Sequence, residues 1–138
     1  MTTDFQDAHE RHWSDAEFLF QESRWANADH LYGIAAECGL KRLMIAFGMP
    51  FDSKNDMPKD RQDRTHIDII QKRYETYRSG NLGGVGYELP DPGAFDDWNA
   101  SQRYEPRGNF DRKRTEAHRK GAEDVRYLVQ HARKEGLL

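Results

Sequence analysis

Apolar residues recur at helical spacing along most of the chain. Between about residues 4 and 24, Phe5, His9, His12, Ala16, Leu19 and Ser23 share one face, and Trp13 and Phe20 widen it. Thr3 and Gln6 stand at capping-box spacing at the start of this helix. A short joint, "ANAD" (26–29), leads into a second helix reaching Phe47, where Gly48, Met49 and Pro50 stop it. Residues 51–64 are a charged loop. Thr65 and Asp68 form a second capping box, opening a helix striped by Ile67, Ile70, Tyr74 and Tyr77. "SGNLGGVGYELPDPG" reads as a flexible loop, because Gly and Pro punctuate it. A short helix is expected over "AFDDWNASQRY", and a last long helix from about Asp111 to Arg133. No stretch alternates as a strand does, and no repeat is visible. The expectation is an all-α fold: an antiparallel four-to-five-helix bundle, one domain over residues 1–138.

The second helix carries the sharpest anomaly. At about 100° per residue, Leu31, Ala35, Cys38 and Ile45 fall on one side, and Ala36, Leu40, Leu43 and Phe47 on the other. A helix apolar nearly all round belongs at the centre of a bundle. His30, Glu37 and Lys41 interrupt it as a narrow polar stripe bordered by Ile34 and Met44. Two readings stand: a solvated Glu-to-Lys pair at i, i+4, or a polar pocket inside the bundle in which Lys41 meets an anion.

The last helix puts His118, Gly121, Ala122, Val125, Val129 and Ala132 on its core face. Arg112, Arg119, Arg126 and Arg133 repeat every seven residues beside them. Such arginines either cover the bundle edge and pair with acids or form a ridge for phosphate or RNA.

Composition narrows the field. Charged residues make up 33% and the net charge is -3, with a mean hydropathy of -1.03, so no global basic field draws nucleic acid and any contact needs a local patch. Cys38 is the only cysteine, which excludes an intrachain disulfide and a cysteine-based zinc site and fits a reducing cytoplasm. No apolar run approaches the roughly 20 residues of a membrane helix, and the polar, acidic start is unlike a signal peptide. His9, His12 and His30 lack a carboxylate at matching spacing and read as packing residues rather than metal ligands.

"AAECGLKRLMIAFG", a charged loop, "RTHIDIIQ" and "WNASQRY" together resemble HEPN domains, small all-α prokaryotic bundles. The residues that carry the resemblance are Glu37, Leu40, Lys41, Arg64, His66, Trp98, Arg103 and Tyr104, within a span from about Trp13 to Arg126. The resemblance implies a homodimer, to which the aromatic surplus also points. It implies one of two functions. Some members are metal-independent endoribonucleases, often toxins or antiviral effectors, with an Arg, four to six residues and a His near the start of the last helix. Others partner nucleotidyltransferases or bind nucleotides.

Here Arg112 and His118 match the catalytic spacing, although Lys113 stands where catalytic members favour a small polar residue. The same spacing recurs at Arg24/His30, Arg61/His66 and Arg126/His131, but only Arg112/His118 joins the start of the last helix to an inward His. The chemistry suits the pair: His exchanges protons near neutral pH, and Arg stabilises developing phosphate charge. The candidate catalytic residues are therefore Arg112 and His118, and the candidate ligand-binding residues are Glu37, Lys41, His66, Arg103, Tyr104 and Arg119. No cofactor is expected. The functions carried forward are binding of a nucleotide, RNA or a nucleotidyltransferase-type partner, in a toxin–antitoxin or defence setting; metal-independent RNA cleavage; and a structural interaction domain.

Overall fold

The computed structural model describes residues 1–138. Its central element is α2 (Trp25–Ala46), which packs against α1 (Phe5–Gln21), α3 (Ile67–Ser79) and α4 (Arg112–Lys134). The apolar sides of α2 account for this position: Ala28, Tyr32, Ala36, Leu40, Leu43 and Met44 are fully buried in one core cluster with Ile67, Ile70 and Tyr74 of α3 and Ala122, Val129 and Ala132 of α4. The fold is thus mainly helical, with four α-helices.

Helix directions follow from paired contacts. His9 meets Ala35 while Glu17 meets Tyr32, so α1 runs antiparallel to α2. Glu10 pairs with Arg126 and Glu17 with Arg119, so α1 is also antiparallel to α4. In contrast, Thr115 meets the Trp25 carbonyl and His118 meets Asp29, while Val125 lies beside Gly39, so α2 and α4 run in the same sense. That much fits an antiparallel bundle, but strict alternation is broken at α3, which runs with α2: His66 meets Glu37 while Tyr74 packs on Phe47. The connection between α3 and α4 lets α4 repeat that sense: Tyr87 packs on Phe47 at one end of α2, Trp98 reaches Asp29 at the other, and the chain has crossed back before α4 begins.

The structure adds one element that the residue pattern hides. Phe51–Asp52 (β1) and Met57–Pro58 (β2) pair antiparallel around a turn in which the Asp52 carboxylate accepts from the Lys54 and Asn55 amides. Strands of two residues are too short to show alternation. The short helix expected over 94–104 is instead a run of turns and a 3-10 helix at Ala100–Tyr104. Asn99 and Gln102 form a capping box there, and this Asx chemistry starts the helical turn late and keeps it short. At α1 the cap is Asp4, bonding the Asp7 amide at 2.9 Å, rather than Thr3. At α3 His66 occupies the N-cap without a side-chain cap bond, and Thr65 donates backwards to the Gln62 carbonyl. The glycine-rich loop is tethered to α3: Tyr74 donates to the Tyr87 carbonyl at 2.6 Å and Arg78 to that of Gly84.

The crossing segment docks because one glycine admits it. A Cβ on Gly33 would stand 2.1 Å from the Trp98 ring, closer than any side chain tolerates, so only glycine lets the indole approach α2 so closely.

Three helices end alike. After α2 and α4, Gly48 (φ 99°) and Gly136 (φ 73°) take the left-handed conformation. The amides that follow, Met49 and Leu137, bond back to Met44 and Ala132. After α1 the same motif is closed by Ser23 at φ 58°, with the Arg24 amide bonding back to Leu19. A serine there carries a steric cost that glycine avoids. Ser23→Gly is therefore expected to stabilise the protein by about 0.5–1 kcal/mol, read as a raised midpoint in thermal or urea unfolding; a lowered midpoint would contradict the assignment.

Candidate functional site

The polar stripe of α2 lies inside, open at one side. Glu37 and Lys41 are only 9% and 6% exposed. Lys41 donates to Glu37 Oε2 at 3.2 Å, and the other oxygen, Oε1, accepts from His66 Nδ1 at 2.9 Å. Lys41 also lies 5.9 Å from the centre of the Phe5 ring. His66 is held at the start of α3 by the preceding turn. There buried Asp63 accepts from Arg73 at 2.7 Å and from the Tyr77 hydroxyl at 2.5 Å. The His66 side chain is half exposed, so it forms the outer edge of the site.

Trp98 backs the same edge. The His30 ring stacks on its indole at 5.4 Å, and the His66 ring tilts against it at 6.4 Å. The two imidazoles differ electrostatically. The hydrogen bond that His66 donates to Glu37 raises its pKa above the ordinary 6.5, burial notwithstanding. Burial, then the nearby Arg103 guanidinium, lowers that of His30, and burial does the same at His12. One imidazole is therefore favoured in its charged form beside two favoured as neutral.

His118 occupies a different setting. It is buried against Phe95, ring on ring at 5.4 Å. Its Nδ1 donates to Asp29 Oδ1 at 2.6 Å and its Nε2 to Asp97 Oδ1 at 2.7 Å. Two carboxylates on two ring nitrogens require both nitrogens to donate, which is the imidazolium. Burial opposes that charge, but the Asp29 and Asp97 carboxylates outweigh it and raise the pKa. Asp29 also accepts from Gln102 Nε2 at 2.5 Å, and its backbone carbonyl accepts from the Trp98 indole. His118 thus anchors the crossing segment.

Arg112 and His118 are not brought together. Six residues along a helix leave them about 120° apart. Arg112 bonds Glu116 at 2.7 Å and lies over Phe20. The arginine nearest the His118 network is Arg114, at the Asp97 carbonyl. Arg119 grips Glu17 with Nε and Nη2 at 2.7 and 3.0 Å, and Arg126 bonds Glu10. Between the two readings of the arginine stripe, pairing with acids describes Arg112, Arg119 and Arg126. Arg103 and Tyr104 lie outside the Glu37 cluster proper: Arg103 bonds the Ala100 carbonyl and stacks on Tyr104, which is exposed.

Asp29, Asp97 and Gln102 escaped the sequence reading. The available signal was His118 itself, since a histidine among Ala and Val on a core face needs a polar partner. Cys38 offers no nucleophile: burial pushes its thiol up to about 12. His9 donates Nδ1–H to the Ala35 carbonyl at 2.7 Å, and no group of three or more His, Cys, Asp or Glu side chains is placed to hold a metal ion. No helix is long and apolar enough to cross a membrane. Comparison with protein-family models, curated proteins and solved structures finds no match.

The Asp29–His118 pair generates two expectations. Asp29→Ala leaves a buried imidazolium short of a partner and should cost about 3–5 kcal/mol, measured by urea unfolding. Because the folded His118 pKa lies above 6.5, its contribution is complete below that pH and is lost as pH rises through the folded value. The stability difference between wild type and His118→Gln should therefore shrink on going from pH 6 towards alkaline pH; a difference that grows would contradict the charged pair.

Proposed function

We propose that this chain is a HEPN-like helical domain that binds RNA or a nucleotide, working as a homodimer beside a nucleotidyltransferase-type partner in a toxin–antitoxin or defence setting. The observation that supports this reading is the convergence of Lys41 and His66 on the Glu37 carboxylate, with Trp98 behind them. These four residues are among the eight that carry the resemblance to HEPN domains, and they come from three distant parts of the chain. A buried carboxylate shared by an ammonium and an imidazole at a solvent-open edge is more than a surface i, i+4 pair. In this reading Glu37 orients Lys41 and His66, His66 meets the ligand phosphate, and Arg103 extends the positive edge on the side of His30.

Metal-independent RNA cleavage is the second reading, and one observation favours it. His66 and His30 lie against one indole with pKa values displaced in opposite directions. An acid and a base held apart in this way suit cleavage by the RNA's own 2′-hydroxyl. This differs from a route through Arg112 and His118, which would need an arginine from a second copy to reach an imidazole already engaged twice.

Fluorescence anisotropy with labelled single-stranded RNA, in EDTA, tests both readings. Wild type is expected to bind, and Lys41→Met and His66→Ala to weaken binding by at least about tenfold, the loss of one charge-assisted contact, with thermal unfolding still cooperative. Binding untouched by either substitution would remove the Glu37 site from the function. RNA shortened during the incubation, and spared with His66→Ala, would establish the second reading.

A further inference from the structure

A second site lies at the end of the bundle where α1 hands over to α2. Glu22, Ser23, Arg24, Trp25, Ala26 and Asn27 form one wall of a groove of roughly 580 Å³, and Gln102, Arg103, Glu105 and Arg107 form the other. That volume is within the range of small-molecule sites. Its lining is mostly polar, with Trp25 and Ala26 as the apolar members.

Arginines set its chemistry. Arg24, Arg103 and Arg107 come from the α1–α2 joint, the 3-10 helix at Ala100–Tyr104 and the short 3-10 turn at Arg107–Asn109. Neither Arg24 nor Arg107 makes a side-chain hydrogen bond or ion pair within the chain. This sets them apart from Arg73, Arg78, Arg112, Arg119 and Arg126, each of which has an acidic partner. Arg103 donates one bond, to the Ala100 carbonyl, and keeps the rest of its fork. Glu22 and Glu105 face the same groove without forming ion pairs with these arginines. Three guanidinium groups against two carboxylates leave the groove positive in a chain whose net charge is -3.

The wall is also preset. Ser23 holds a left-handed backbone (φ 58°), a conformation that costs energy at a non-glycine residue. It places Arg24 both at the end of α1's closing motif and at the N-cap of α2. No side chain caps α2, and the amides of Trp25, Ala26 and Asn27 have no acceptor within the chain. These donors add partial positive charge to the arginine groove. Trp25 is half-buried, edge-on to Phe20 at 5.2 Å, and leaves part of its ring on the groove.

We infer that this groove binds a phosphomonoester attached to a nucleoside, with Arg24, Arg103 and Arg107 on the phosphate and Trp25 against the base. Arginine forks match phosphate oxygens in pairs, and an indole stacks on any base. Glu22 and Glu105 are placed to accept from sugar or base donors and to disfavour a run of phosphodiesters along the groove. A free nucleotide and the 5′-phosphorylated end of an RNA present the same chemistry. The inference stands on the groove alone and shares only Arg103 with the site around Glu37.

The test titrates the full chain with four probes, followed by tryptophan fluorescence and calorimetry: adenosine 5′-monophosphate, adenosine, and a short single-stranded RNA with either a 5′-phosphate or a 5′-hydroxyl. The phosphorylated member of each pair is expected to bind at least about tenfold more tightly. The double variant Arg24→Ala/Arg107→Ala should remove that preference, whereas Arg133→Ala, an exposed arginine of α4 outside the groove, should keep it. Equal affinity for adenosine 5′-monophosphate and the phosphorylated RNA assigns a free nucleotide; a tenfold advantage for the RNA assigns its end. No phosphate preference in wild type, or a preference that survives the double variant, overturns the inference. Arg107→Glu alone, in an exposed turn, serves the same purpose if the double variant unfolds early. Loss of RNA binding in Lys41→Met with the preference for adenosine 5′-monophosphate over adenosine intact separates this groove from the Glu37 site.

Discussion

A single buried carboxylate holds the architecture together. Asp29 has no exposed surface, yet it accepts from His118 of α4 and Gln102 of the crossing segment, while its backbone carbonyl takes the Trp98 indole. A charge taken out of water is costly unless it is paired and fully hydrogen-bonded, and here the partner is itself a charged imidazole with a second carboxylate on its far nitrogen. Tyr87, Phe95, Trp98 and Phe110 supply the buried apolar side chains of the Gly- and Pro-rich connection between α3 and α4, and the junction adds the polar contacts that join it to α2 and α4. With it, Trp98 is drawn over Gly33 and becomes the wall against which His30 and His66 are arranged. The candidate site therefore depends on an interaction none of whose members touches it except through Trp98.

The charges of the molecule divide by task. Between α1 and α4, Glu10 with Arg126 and Glu17 with Arg119 bind the helices together, and the Glu17 fork also satisfies the buried Tyr32 hydroxyl. The Arg119 fork holds the Glu17 carboxyl below the usual range. These cations are committed within the chain. Arg24 and Arg107, which have no acidic partner, line one groove at the start of α2, and half of the His66 side chain is exposed at the start of α3. A protein with a negative net charge can in this way present a local positive surface, the form of electrostatics an anionic ligand requires.

Much of this was legible in the sequence, for reasons that particular residues make clear. The nearly all-round apolar pattern of α2 marked it as central, and the core face of α4 from His118 to Ala132 is buried as its spacing implied. The Glu37–Lys41 pair stood out because it broke the most apolar stretch of the chain, and a break of that kind is where function or strain concentrates. The same reading could not tell whether Arg119 faced a ligand or Glu17, since spacing along α4 says nothing of what α1 presents. It read Asp29 as part of a joint, because the residue sits within a turn of α2's start and its partners lie 73 and 89 positions away. The hairpin and the broken 94–104 helix were missed because two-residue strands and Asx-capped turns leave no periodic trace.

The histidines carry the account, and their own resonances test it most directly. Long-range ¹H–¹⁵N spectra of the imidazoles, recorded near pH 6 before and after addition of single-stranded RNA, distinguish the structural role given to His118 from the ligand role given to His66. The account predicts that His118 is doubly protonated in both spectra and does not move, while His66, and His30 beside it, shift on addition of RNA. An unprotonated His118 nitrogen in the free protein, or RNA shifts confined to His118 with His66 unchanged, would contradict it.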